Sequence, residues 1–165
     1  MVKKVMRVLS QEGFVAGGGF CPEIRAVKGR LGFEIIDVLT GEKGILSHIH
    51  HANGPRIGKY RVNLLDLTRI GVHAIESAIE KTDYIVIDEV GPMELQGMKF
   101  QQAVLRALNS PKPVLGVLHW KMRHPIIQMI TAHRNVRVFE LTKQNRQFIH
   151  QSLSNELRKT LESKK

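Results

Sequence analysis

The apolar residues of this chain change their spacing several times, and each change marks an element. Across residues 2–12 they recur at helical spacing. Val2, Val5 and Leu9 share one face with Met6 beside them, and Gly13 stops the run. No Ser, Thr, Asp or Asn cap precedes that helix. Residues 14–20 are short and glycine-rich, which predicts a strand over about 14–16 and a bend at Gly17, Gly18 and Gly19. A phosphate cradle of backbone N–H groups is the competing reading of those glycines. Residues 31–39 and 44–47 predict two antiparallel strands joined by Thr40-Gly41-Glu42-Lys43. Residues 64–70 and 72–80 return to helical spacing, with Ile75, Ala78 and Ile79 facing inward.

Tyr84-Ile85-Val86-Ile87 then runs apolar without alternation and ends in Asp88-Glu89. Such a run predicts a strand over 84–88 buried on both faces, hence a central parallel strand. Residues 100–108 predict an amphipathic helix using Phe100, Ala103, Val104 and Leu108. Residues 114–118 predict a second buried strand ending in His119, 125–133 a short helix, and 136–141 a third core strand. Thr142 is the expected cap of a last helix whose seam is Ile149, Leu153, Leu157 and Leu161. This alternation predicts an α/β fold: one three-layer domain over 1–165, with a mostly parallel central sheet and an antiparallel β-hairpin excursion.

The chemistry is expected where the central strand leaves the sheet, because open α/β sheets bind ligands at the carboxyl ends of their strands. Two adjacent carboxylates there are costly unless a cation such as Mg²⁺ joins them. A buried strand that ends in a solvated acidic turn is the plainer alternative. His119 follows the neighbouring strand, where it can reach a γ-phosphate or orient water, or can simply be a satisfied structural residue. Arg123 and His124, in the next loop, are candidate phosphate clamps. Gly54-Pro55-Arg56-Ile57-Gly58-Lys59-Tyr60 looks superficially like a Walker A loop. It is one residue too short between its glycines and has Tyr60 where a Mg²⁺-binding hydroxyl belongs. Arg56 and Lys59 either bring positive charge to a phosphate or sit in a surface turn. His48, His50 and His51 lack a ligand to complete a zinc set, and read as a solvated loop.

Charge narrows the partners. The 165 residues carry 25 Lys+Arg against 15 Asp+Glu, a formal +10 that favours phosphates, nucleotides or nucleic acid. The excess is spread over Lys3, Lys4 and Arg7, residues 119–137, and Arg158, Lys159, Lys164 and Lys165. With 2 Tyr and 1 Trp there is little to stack on bases, so any nucleic-acid binding is expected to be weak. Cys21 is the one cysteine, which excludes an internal disulfide. No signal peptide and no long apolar run is present, and the expected setting is cytoplasmic, with no membrane.

These segments together resemble a small P-loop nucleoside-triphosphatase family of thermophiles and archaea that has a human cancer-related member. Val86-Ile87-Asp88-Glu89-Val90-Gly91-Pro92-Met93-Glu94-Leu95 carries most of the resemblance and is similar to its Walker B segment. Gly19-Phe20-Cys21-Pro22-Glu23-Ile24-Arg25 is similar to its Gly-Phe-Tyr-Thr-x-Glu-Val-Arg motif, with Cys21 for the usual Tyr and Pro22 for the usual Thr. Residues 30–34, 54–62, 112–118 and 136–146 follow in the same order. The resemblance implies Mg²⁺-dependent hydrolysis of ATP, GTP and other nucleoside triphosphates. It implies that Asp88 holds the metal, that Glu89 activates water, and that Tyr84, Ile85, Val86, Ile87, Asp88, Glu89, Val90 and Gly91 form a nucleotide-binding segment.

The family begins with a strand and Gly-x-x-x-x-Gly-Lys-Thr-Thr before a helix similar to residues 2–12, and this chain starts at that helix. The expectation is a missing first (Walker A) strand, and an unpaired edge on strand 84–88 unless another strand closes up. Three readings follow. In one, the gene encodes the Walker A segment upstream of Met1, and the enzyme is an NTPase that this shorter chain represents in impaired form. In another, the chain is a degenerate nucleotide-binding module without hydrolysis. In the third, it is a nucleic-acid-associated module using its basic surface.

Overall fold

A computed structural model describes residues 1–27 and 29–163, so Lys164 and Lys165 of the basic tail lie outside the described residues. The chain opens with α1 (Val2–Gln11), β1 (Ala16–Phe20), β2 (Glu23–Ala26), β3 (Gly29–Asp37) and β4 (Lys43–His48). A small hairpin of β5 (Arg56–Ile57) and β6 (Tyr60–Val62) follows. Next come α2 (Leu64–Asp66), a π-helical turn (Leu67–Val72) and α3 (His73–Lys81) in one continuous rod. Then follow β7 (Tyr84–Val90), a 3-10 turn (Glu94–Gln96), α4 (Met98–Leu108), β8 (Val114–Leu118), α5 (Pro125–Ala132) and α6 (Ile149–Glu162).

The strands lie in the order β5-β6-β4-β3-β1-β7-β8, with β2 paired to β3. The pairs β1–β7 and β7–β8 are parallel. Every pairing from β1 outward through β3, β4 and β6 to β5 is antiparallel, as is β2–β3. The antiparallel excursion is therefore larger than one hairpin. β2, β5 and β6 had too few apolar positions to show as strands.

β7 is buried on both faces, as its unbroken apolar run requires. Ile85 and Ile87 join the core that contains Leu67, Ile75, Ala78, Phe100 and Val104. Tyr84 and Val86 join the opposite core with Val2, Val5, Leu9, Leu157 and Leu161. Helices thus cover both sides of the sheet, and each such side chain contributes about 1.5–3 kcal/mol when fully buried. The period-2 alternation also turns Asp88, two residues beyond Val86, toward the face that α1 covers.

Another strand does close up on strand 84–88: β1 pairs with it on one side and β8 on the other. Three expectations need correcting. The glycines do not form a bend. They are the body of β1, with Gly17 opposite Ile85, Gly18 opposite Val86 and Gly19 opposite Ile87. The reason is close packing: a Cβ at Gly17 would lie 2.7 Å from Thr82 Cγ2 and 2.8 Å from Ala78 Cβ. Residues 136–141 form no strand, and Val138, Phe139 and Leu141 are exposed. Among the described residues no strand neighbours β8 on its outer side, so this apolar stretch has no ladder to join. Thr142 caps no helix either. It exchanges hydrogen bonds with Asn145, and α6 starts at Ile149 with Phe148 at its cap position.

Candidate active site

Asp88 stands opposite Phe20 at the carboxyl end of β1 and β7, and is half-buried with Glu89. The peptide between the two acids is cis, and the β7–β8 ladder shifts register between Ile87 and Val90. His119 is brought to the same end, because its backbone N–H donates to the Val90 carbonyl at 3.3 Å. Cys21 follows β1 directly. Glu94 opens the 3-10 turn after β7 and is only 3 % exposed, with its Oε2 accepting the Gly91 N–H at 3.1 Å.

The electrostatics are those of acids gathered in a partly dry place. Burial, and then the neighbouring Glu89, pushes the Asp88 carboxyl up to about 6, while the amino terminus and Lys3 pull it down. Glu89 is also raised by burial and held back by His119. Glu94 is pushed up to about 8, chiefly by burial; its own N–H and that of Gly91 oppose this, and Glu89 and Asp88 add to it. Burial, and then Glu94, Asp88 and Glu89, drives the Cys21 thiol well above its ordinary range. A thiol held neutral in this way is a poor nucleophile.

Positive charge comes from α1. Lys3 holds its ammonium 4.7 Å from the centre of the Phe20 ring, and the N-terminal end of α1 adds the positive pole of its dipole. Neither Lys3 nor Glu94 was singled out from the sequence. Lys3 needed the parallel pairing of β1 with β7 to be seen. Glu94 carried one signal, a carboxyl set between Met93 and Leu95 directly after a strand and a Gly-Pro turn.

Arg56 and Lys59 lie in the β5–β6 hairpin, separated from β7 along the sheet by β4, β3 and β1. The Arg56 Nε–H donates to the Gly58 carbonyl, and the Lys59 ammonium lies over the Tyr60 ring. Tyr84, Ile85, Val86 and Ile87 are at most 3 % exposed, so their side chains pack in the core and carry the acids at the strand's end. The Tyr84 hydroxyl is buried at the far end of β7 without a hydrogen-bond partner among the described residues, and burial pushes it up to about 12. Val90 is buried as well. His124 caps α5 through its Nδ1, which accepts the Ile126 N–H at 3.3 Å. His48 accepts the His50 N–H, and the two rings tilt together in a local turn.

Among the described residues no group of three or more His, Cys, Asp or Glu is arranged to hold a metal ion. Asp88 with Glu89 is a two-carboxylate donor set. It suits a hard cation that keeps water and phosphate oxygens among its ligands, as Mg²⁺ does. Among the described residues no helix is long and apolar enough to cross a membrane.

Comparison with known proteins shows the family and the fold. Residues 1–154 match the NTPase family. The chain is 43% identical over 155 residues to the nucleoside-triphosphatase THEP1 of Methanosarcina acetivorans, covering 94% of this chain and 86% of that one. It is 39% identical over 157 residues to THEP1 of Thermotoga maritima, covering 95% and 84%. The crystal structure of THEP1 from Aquifex aeolicus superposes with a TM-score of 0.81 at 28% identity, over 93% of this chain and 90% of that one. The solution structure of a human cancer-related nucleoside triphosphatase gives 0.78 at 27% identity, over 96% and 89%. An acid pair at the exit of the central strand, on this fold and at this level of identity, places the chain in the THEP1 nucleoside-triphosphatase family.

Proposed function

We propose that this chain hydrolyses nucleoside triphosphates to diphosphate and phosphate in a Mg²⁺-dependent reaction with broad base tolerance, in a cytoplasmic setting. The observation that carries the reading is the half-buried Asp88-Glu89 pair at the end of β7, faced by Lys3 and His119. Asp88, at the tip of this Walker B strand, would hold the cation through its carboxylate oxygen. Magnesium, when bound, neutralises charge on the β- and γ-phosphate oxygens. Glu89 orients the attacking water and takes its proton as the water oxygen bonds to the γ-phosphorus. The bond from that phosphorus to the β–γ bridging oxygen breaks, and the diphosphate leaves with the electron pair. Lys3 and the N-terminal end of α1 offset negative charge on the triphosphate, and His119 stands where it can hydrogen-bond a γ-oxygen. Catalysis of this kind is mostly positioning and charge compensation.

Binding without turnover is the competing reading, and phosphate release decides between them. The pure chain is expected to release phosphate from ATP, GTP, CTP and UTP at rates within about tenfold of one another, and to stop when EDTA removes the cation. Release no faster than in buffer, with nucleotide still bound, would establish the competing reading. A nucleic-acid surface is less favoured, because Arg25, Arg30, Arg69, Arg106, Arg137 and Arg158 are each held in ion pairs with carboxylates.

A further inference from the structure

One buried acid at this site has no part in the reaction as written. Glu94 points back at the turn that leaves β7, and its Oε2 accepts the Gly91 N–H at 3.1 Å. The Leu95 N–H donates to the Gly91 carbonyl at 3.0 Å, so Gly91 is tied to the 3-10 turn through both of its backbone groups. Between them Met93 is anchored by Ser47, whose buried hydroxyl donates to its sulfur at 3.1 Å. The base on which Glu94 stands is therefore fixed to β4.

Glu89 lies against the same glycine. A Cβ built on Gly91 would sit 2.4 Å from Glu89 Oε1 and 3.1 Å from Glu94 Oε2. Two carboxyl groups thus converge on one Cα, in space that exists only because residue 91 has no side chain. Without an acceptor at position 94 the Gly91 N–H would be buried and unpaired at the residue that borders Glu89.

We propose that Glu94 is a positioning residue: by accepting the Gly91 N–H it fixes the turn after β7 and so holds the Glu89 carboxyl at the strand's end. This rests on Glu89 being the group that activates water. The role belongs to the reach and acceptor atom of Glu94, not to its charge. An apolar residue of similar size would fill the volume but leave the turn untied.

Two variants separate reach from charge in the full chain. E94Q keeps the length and a carbonyl acceptor but carries no charge. E94D keeps the acid but is one methylene too short. The readouts are hydrogen exchange of the Gly91 amide, the ¹³Cδ resonance of Glu89, and steady-state phosphate release. In E94D the Gly91 amide is expected to exchange at least about tenfold faster and the Glu89 resonance to move. Its kcat should fall about tenfold further than in E94Q, with KM within about threefold of the parent. In E94Q the Gly91 amide stays protected.

Unchanged protection of Val86 and Ile87 reports an intact core. The reverse order, with E94Q losing Gly91 protection and E94D keeping it, overturns the proposal. So does an unmoved Glu89 resonance in an E94D chain whose Gly91 amide is free. Should E94D lose core protection, E94Q decides alone: a fixed Glu89 resonance supports the proposal, and a moved one with a freed Gly91 amide overturns it. A parent chain that releases no phosphate contradicts the hydrolase reading only, since both spectroscopic readouts still decide the role of Glu94.

Discussion

Phe20 and Asp88 are register partners in the parallel ladder of β1 and β7, and Phe20 carries the Lys3 ammonium over its ring at 4.7 Å. This stack links the first turn of α1 to the acid at the end of the central strand. Lys3→Gln is expected to raise KM for Mg·ATP by about two- to fivefold while kcat changes little, the size of one partly exposed charge. The effect should shrink at 0.5 M salt, since exposed charges are screened. Steady-state kinetics at two ionic strengths check both points, and an unchanged KM would remove Lys3 from the site.

Gly91 makes room for Glu89. Its φ lies outside the left-handed region, so the backbone itself accepts alanine, but the new Cβ would press on Glu89 Oε1. Gly91→Ala is expected to lower kcat by about tenfold or more, because small displacements of a reacting group are costly. Thermal unfolding, measured beside the kinetics, should change far less than the rate.

Packing at β1 makes a different demand. Gly17→Ala sets a Cβ against Thr82 Cγ2 and Ala78 Cβ at distances that no side chain tolerates unless the neighbours move. α3 and β1 would have to separate, and the expected cost is about 1–3 kcal/mol. Urea unfolding measures it. Gly19→Ala is the control, since a Cβ there meets nothing within 4 Å among the described residues.

Glu94 gives stability a pH dependence of definite sign. Burial raises its folded pKa from 4.5 to about 8. Between those values the folded chain binds more protons than the unfolded chain, so this group makes stability fall as pH rises. Its contribution is fully favourable below the unfolded value and declines through pH 8. Glu94→Gln cannot ionise and should be the more stable protein at pH 8.5, by about 1–4 kcal/mol, with the two curves converging near pH 5. Urea unfolding at several pH values tests this, and a parent protein that gains on E94Q as pH rises would reverse the assignment.

The parts of the fold legible in the sequence were those with one dominant period. The unbroken run at 84–87 identified β7, and the spacing of Val2, Val5 and Leu9 identified α1. β1 was misplaced because glycine carries no hydrophobic signal. What makes it a strand is the close approach of Ala78 and Thr82, a tertiary fact. Residues 136–141 had the composition of a strand, but pairing needs a neighbour, and composition does not report one. Of the site, Asp88 and Glu89 were visible as an adjacent pair at a strand end. Glu94 and Lys3 were hidden, because one depends on a turn folding back on Gly91 and the other on which face of β7 lies under α1. Arg56 and Lys59 were drawn in by a loop resemblance, and that loop is the β5–β6 hairpin, which the antiparallel strands β4 and β3 join to β1.

The role of Glu89 is tested most directly by phosphate release from Mg·ATP in Glu89→Gln, read beside the Kd for the same nucleotide. Loss of the general base should lower kcat by about 100-fold or more. The Kd should stay within about threefold, since the amide keeps the volume of the acid and one acceptor oxygen. Turnover equal to that of the parent chain would contradict the assignment of Glu89.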